Sequence, residues 1–265
     1  NPQVLAVCRQ WFKLPPDGPK LRVVVADAAQ EIKNPMWLGT VDALAVDLYD
    51  HEAAAPVLDS PDFYADCRAL LTDTGSMTVN LFGRASSFDR SLSSMAQAFG
   101  GYWRDQKKAG KDVDARIINT SSGAGLQGSI GQSNYAAAKA GIAGLTLVQA
   151  AELARYGITA NCLAPAARTS MTEGAMPDMV KKPESGFDVW DPMNVASIVV
   201  WLGSSQSRHV TGRCFESKGG ELSVADGWFT GTINDKQGRW APAELTAVVD
   251  QLIAQGKAPQ KVYGT

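Results

Sequence analysis

A chain of 265 residues, 45% of them hydrophobic, can bury a full core as one large α/β domain or two smaller ones. Its formal net charge of −2 and isoelectric point near 5.7 give no electrostatic footprint for nucleic acid or an anionic membrane. Cys8, Cys67, Cys162 and Cys214 are widely spaced and His51 and His209 are the only histidines, which points away from a metal cluster and from a His-based triad.

Scattered reduced cysteines fit a cytoplasmic protein. No apolar run is long enough to span a bilayer, and no charged-then-apolar leader precedes a cleavage site. The chain begins at Asn1 inside a helical pattern, as a fragment or a processed product would.

Pro2 to Lys13 carries Val4, Leu5, Val7, Cys8, Trp11 and Phe12 at helical spacing. A turn cluster, Leu14 to Pro19, follows. Leu21 to Ala26 is a continuous β-branched run, predicting a buried strand that ends at Asp27, and Val41 to Leu48 predicts a second, ending in Asp47-Leu48-Tyr49-Asp50. Ser60-Pro61-Asp62 marks a helix start, with Pro61 in the first turn. Asp73-Thr74-Gly75 predicts a turn, Met77 to Phe82 a third strand, and Ser86 to Phe99 an amphipathic helix.

Parts of this first stretch resemble the spermidine synthase branch of the S-adenosylmethionine-dependent transferases. The residues that carry it are Asn1 to Ala6, Leu21 to Ala28, Val46 to Asp50 and Ser60 to Tyr64. The resemblance implies that Asp27 contacts an adenine and that Asp47 acts as general base toward an amine, in an aminopropyl- or methyltransferase. Read without it, both are acids at strand ends, common in α/β folds. The family's glycine-rich first strand is not in this sequence, and its acid-proline motif is altered, because Asp50 is followed by His51.

Gly100-Gly101 marks a change of character, dividing the chain into segments 1–99 and 100–265. Tyr102 to Lys108 predicts the end of a helix and Ala109 to Val113 a loop. The apolar run Ala115 to Asn119 predicts a buried parallel strand. An alanine-rich helix follows and ends near Gly157, suited to a left-handed cap. On that helix Tyr135 and Lys139 stand four apart, so phenol and ammonium share a face. Ser122 sits at the mouth of the preceding strand, where strand-to-helix loops open onto ligand crevices.

These three residue types can exchange a proton with a carbonyl or an alcohol. Tyrosine is a poor base at neutral pH, its phenol ordinarily ionising near pH 10, and an ammonium placed beside a phenol favours the phenolate. A serine hydroxyl can hold the substrate oxygen beside it. Hydride must come from a cofactor, because no side chain supplies it.

Ser121-Ser122-Gly123-Ala124-Gly125, then Gly131-Gln132-Ser133-Asn134-Tyr135, then Ala136 to Gly141 resembles the active-site segment of the short-chain dehydrogenase/reductase family. From Tyr102 to the C-terminus the likeness is continuous. It is nearest the 3-hydroxyacyl-CoA dehydrogenase part of multifunctional β-oxidation enzymes, on Asn119 to Leu126, Ala164-Pro165, Cys214 to Glu216 and Asp226 to Trp228. The resemblance implies an NAD(P)-dependent oxidoreductase with Tyr135 as acid/base, Lys139 assisting it and binding ribose, and Ser122 fixing the substrate oxygen.

The resemblance further implies nicotinamide contacts from Pro165, Ala166 and Thr169, with Ala166 standing where the family has glycine. Ser170 to Trp190 then matches a substrate lid, Asp191-Pro192 starts a helix burying Val195, Ile198, Val199 and Leu202, and Arg213 to Glu216 gives the last strand. The implied substrate is a small molecule such as a 3-hydroxyacyl-CoA.

Two family features are not in this sequence: the Thr-Gly-x-x-x-Gly-x-Gly turn that seats a pyrophosphate, and an Asn-Asn-Ala-Gly string. The family's catalytic asparagine has a similar context at Asn80 to Gly83, set far ahead of Ser122 and left outside the site. The fold expected is a Rossmann-like parallel sheet with flanking helices, assembled from two incomplete segments as a fusion or chimera. Strands added in one direction put nearly all helices on one face. A remnant that binds a partner supplying further strands is the non-enzymatic alternative. Ala136, Ala140, Gly141 and Gly144 keep one side of the Tyr135–Gly157 helix small, which suits either a homo-oligomer interface or ordinary helix-on-sheet packing.

Overall fold

The computed structural model describes residues 2–11, 13–48, 56–81, 85–257 and 261–262. The chain divides into two units, Asn1–Asp105 and Gln106–Thr265. In the first, α1 (Pro2–Trp11) and the short α2 (Ala28–Glu31) precede β1 (Val41–Val46), α3 (Pro61–Leu70) and β2 (Leu71–Val79), and α4 (Ala85–Lys108) begins there. Ser60 caps α3, its hydroxyl accepting from the Phe63 N–H, with Pro61 in the first turn as its fixed φ favours. Strands β1 and β2 pair in parallel around a core of Val46, Leu58, Phe63, Tyr64 and Cys67.

Three expectations fail in this unit. Leu21 to Ala26 forms no strand, only an isolated bridge from Gly18 to Leu21, and Val24 and Val25 are exposed. A β-branched run becomes a strand only when a neighbour meets its N–H and C=O groups, and none of the described strands pairs with it. Asp73-Thr74-Gly75 is not a turn but lies within β2, where the register jumps between Val41↔Leu71 and Ala43↔Ser76, so the extra residues bulge out of the ladder. The third strand accordingly starts six residues before Met77. Helix α4 runs straight through Gly100-Gly101. Phe12, Tyr49, Asp50, His51, Phe82 and Gly83 lie outside the described residues.

The second unit is built on a four-stranded sheet in the order β3 (Ala115–Thr120), β4 (Ile158–Ala166), β5 (Cys214–Lys218), β6 (Glu221–Ala225). The first three strands are parallel and consecutive, as expected; β6 returns antiparallel as a hairpin. Helices α5 (Gly123–Gln127) and α6 (Ser133–Leu153) connect β3 to β4, while α7 (Ser170–Ala175) and α8 (Met193–Gly203) connect β4 to β5. α9 (Pro242–Gln255) follows the sheet; neither it nor β6 was expected from the sequence. Leu163 and Phe215 from the sheet and Val195, Ile198 and Leu202 from α8 make one core cluster. Val199, expected on the buried face of α8, is 37% exposed, because a straight helix turns it past the sheet.

Gly157 decides how α6 hands over to β4. It closes the last turn after Tyr156 with φ 80°, and a Cβ built there would lie 2.1 Å from the Val113 carbonyl oxygen. Left-handed backbone alone costs a non-glycine residue about 1–2 kcal/mol, and the clash adds to it. Gly157→Ala is therefore expected to lower the denaturant midpoint of the chain by at least that equivalent, followed by tryptophan fluorescence. An unchanged midpoint would refute this account of the turn.

Candidate active site

The site residues sit on β3, α5 and α6, which are joined by buried polar contacts. Asn119, near the end of β3, donates through Nδ2 to Thr146 Oγ1 at 2.9 Å and to Gln149 Oε1 at 2.8 Å, both on the buried face of α6. Ser121, just past the strand, is 2% exposed. Its backbone N–H donates to the Leu163 carbonyl at 2.7 Å, and its hydroxyl to the Lys139 carbonyl at 2.7 Å. A second contact fixes the same point: a Cβ on Gly125 would fall 2.6 Å from the carbonyl carbon and from the Cβ of Lys139, so α5 and α6 touch through bare backbone. Sequence reasoning missed Asn119, Ser121 and Gly125 as positioning residues. The readable signals were a polar residue ending an apolar strand and the second glycine of Ser-Ser-Gly-Ala-Gly.

On this frame the Lys139 ammonium donates to the Thr120 carbonyl at 3.0 Å and stands 5.8 Å from the centroid of the Tyr135 ring. One of its three N–H bonds is thereby committed, leaving donors for other acceptors. Tyr135 is 42% exposed. Ser122 caps α5, its Oγ accepting from the Ala124 N–H at 3.2 Å, which leaves its own O–H to donate elsewhere. Sequence spacing thus brought Tyr135 and Lys139 together as expected, and placed Ser122 at the strand mouth.

Pro165 and Ala166 end β4, in register with Ser217 and Lys218 of β5 and beyond the Thr120↔Leu163 pair that ends β3. Thr169 caps α7 in a reciprocal arrangement with Thr172. Next to it, Arg168 organises the segment expected as a lid. Its Nε donates to the Val180 carbonyl at 2.6 Å, and its two terminal nitrogens grip Asp188 at 2.8 and 2.7 Å. This bidentate bond holds the Asp188 carboxyl below the usual carboxylate range, and the same contact raises Arg168.

The acids of the alternative reading are engaged locally. Asp27 caps α2, accepting from the Gln30 N–H at 3.2 Å, and Asp47 accepts from Asn80 Nδ2 at 2.9 Å. Among the described residues no group of three or more His, Cys, Asp or Glu side chains could hold a metal ion, and no helix is long and apolar enough to cross a membrane.

Residues 75–180 match the family model described as short chain dehydrogenase, a span that holds every site residue from Ser122 to Thr169 and begins after Asp27 and Asp47. The chain is 41% identical over 169 residues to the hydroxyacyl-CoA dehydrogenase ChsB1 of Mycobacterium tuberculosis, covering 61% of this chain and 52% of that protein. It is 43% identical over 109 residues to the (3R)-3-hydroxyacyl-CoA dehydrogenase of Rattus norvegicus, covering 39% of this chain and 42% of that one. The chain thus spans about half the length of the curated relatives it matches. Among solved structures, a short chain dehydrogenase from Mycobacterium avium superimposes with a TM-score of 0.64 at 43% identity, over 78% of this chain and 75% of that one.

Two outcomes follow from this geometry. Ser121→Ala strips the Lys139 carbonyl of a buried partner and is expected to cost about 1–3 kcal/mol of stability, read by chemical denaturation. Because the Asp188 carboxyl is depressed in the folded chain, its stabilising effect is present above the unfolded value, about 3.9. That effect is lost as pH falls through the lower folded value. Asp188→Asn is expected to open residues 170–190 to proteolysis at neutral pH, as acidification does in the parent. A cleavage pattern insensitive to both would contradict the clamp.

Proposed function

This chain belongs to the short-chain dehydrogenase family, and from that premise we propose that it is an NAD(P)-dependent oxidoreductase acting on a secondary alcohol or ketone such as a 3-hydroxyacyl-CoA. The observation that carries the reading is the Tyr135–Lys139 pair at the C-terminal edge of β3, with the ammonium held there by the Thr120 carbonyl at 3.0 Å. The dehydrogenase names of the relatives support the same substrate class.

The donor set fits the nicotinamide-ribose end of a dinucleotide. Lys139 keeps N–H bonds for ribose hydroxyls, and Pro165, Ala166 and Thr169 stand where β4 runs out toward α7. The sequence holds no glycine-rich turn for the pyrophosphate, so these residues account for one end of the cofactor only. When bound, the nicotinamide exchanges hydride with the carbon that bears the substrate oxygen.

This chain's own residues handle the oxygen and its proton. Ser122, with its Oγ already accepting from the Ala124 N–H, turns its O–H to the substrate oxygen. Tyr135 takes the alcohol proton in oxidation and returns it in reduction. The Lys139 ammonium stands 5.8 Å from the centroid of the Tyr135 ring, on the same side of α6 as the phenol that exchanges the proton. Gly125 and Ser121 keep that lysine from drifting, which matters because a misplacement of about 1 Å can cost ~100-fold in rate.

We infer in addition that the chain self-associates through α6. Ala140, Gly141 and Gly144 of its small side are exposed, alongside Leu147 at 60% and Val148 at 51%. A sedimentation experiment that returns only monomer at high concentration would remove this inference.

The activity is tested by NAD(P)⁺ reduction with a 3-hydroxyacyl-CoA. Tyr135→Phe is expected to lower kcat/KM by about 10²–10⁴-fold while leaving the fold intact by circular dichroism. Full activity in that variant, or no fluorescence response to either NADH or NADPH in the parent, would sink the proposal.

A further inference from the structure

Cys162 and Cys214 take no part in the proton chemistry, yet the sheet sets them face to face. They are direct register partners on the parallel strands β4 and β5, locked there by the bond from the Cys162 N–H to the Arg213 carbonyl at 2.7 Å. Partners on adjacent strands project to the same face, and strands lie about 4.7–4.9 Å apart. That spacing falls inside the Cα separation of about 4.4–6.8 Å that a disulfide spans. Both thiols are free in this structure; Cys162 is fully buried and Cys214 is partly exposed. The other two cysteines, Cys8 and Cys67, lie in the first unit.

The pairing couples their acidities: the neighbouring Cys214 thiol draws the Cys162 thiol down despite its burial, and the Cys162 sulfur together with burial pushes the Cys214 thiol up. Two thiols held as register partners can act in turn, one attacking an oxidant and its neighbour closing the bond.

We propose that Cys162 and Cys214 are a two-thiol oxidation site that hydrogen peroxide converts into an intrachain disulfide tying β4 to β5. The Cys162 thiolate attacks one peroxide oxygen, the O–O bond breaks, and the departing hydroxide takes up the proton released by the thiol, leaving a sulfenic acid and water. The Cys214 thiol then attacks the sulfenic sulfur, the S–O bond breaks, and its hydroxyl leaves with the Cys214 proton as a second water. Two thiols lose two electrons and two protons, and the peroxide gains both. A dithiol reductant reverses the change by exchange at the partly exposed Cys214 sulfur.

The test uses the full chain under native conditions. After brief peroxide treatment and alkylation, the chain should carry two fewer alkyl groups and weigh less by two hydrogen atoms before alkylation. Peptide mapping should join the Cys162 and Cys214 peptides, and dithiothreitol should restore both thiols. Cys214→Ala should form no link and should accumulate oxygen on Cys162 instead. Recovery of both thiols unmodified, a link to Cys8 or Cys67, or direct passage of either sulfur to sulfinic acid in the parent chain would each overturn the proposal. Should the variant fail to fold, the parent's peptide map decides by itself.

Discussion

The hydroxyl of Ser121 and the bare Cα of Gly125 meet the backbone of Lys139 from two sides, and the site rests on that contact. A lysine has four rotatable side-chain bonds and no fixed direction of its own. Here its main chain is pinned by a buried hydrogen bond and a van der Waals stop, and its ammonium is tethered to the Thr120 carbonyl. Any side chain at Gly125 would wedge α5 away from α6. The site is thus set by backbone placed against backbone, the stiffest arrangement a loop between strand and helix can offer.

The same region continues inward as a polar seam between the sheet and α6. Asn119 bridges Thr146 and Gln149, and all three would be costly to bury singly. Satisfied together, they fix the rotation of α6 about its axis and hence the direction in which Tyr135 and Lys139 project. Cys162 lies beside this seam, as the register partner of Asn119 across β3 and β4. The residue that anchors the seam and the thiol pair therefore sit on adjacent strands of one sheet.

Legibility differed between the two units for a physical reason. In the second, the strands that were read from apolar runs are neighbours in sequence order, so each finds its partner next along the chain, and β3, β4 and β5 came out where the pattern placed them. The site motif is equally local: a strand end, a glycine pair and one helical turn. In the first unit the run Leu21 to Ala26 has the right composition but pairs with no strand among the described residues, while Asp73 to Gly75 has turn composition and is absorbed as a bulge between two pairing stretches. Gly100-Gly101 has the composition of a break, yet the helix continues, since two glycines cost about 1 kcal/mol each and a long helix can bear that. Strand β6 went unseen although Gly219-Gly220 is a two-residue hairpin signal and Glu221 to Val224 alternates; four of its five residues are exposed, so the alternation marks no buried face.

What the residues determined unaided was the chemistry: a phenol and an ammonium one helical turn apart, a serine at a strand mouth, and a glycine suited to close the helix, all within segments where local spacing dictates geometry. What only the folded chain decided was which groups hold those in place, how Arg168 straps residues 168–188, and that two cysteines 52 residues apart stand as register partners. Each of these depends on separations that pairing across a sheet sets and that sequence distance does not encode.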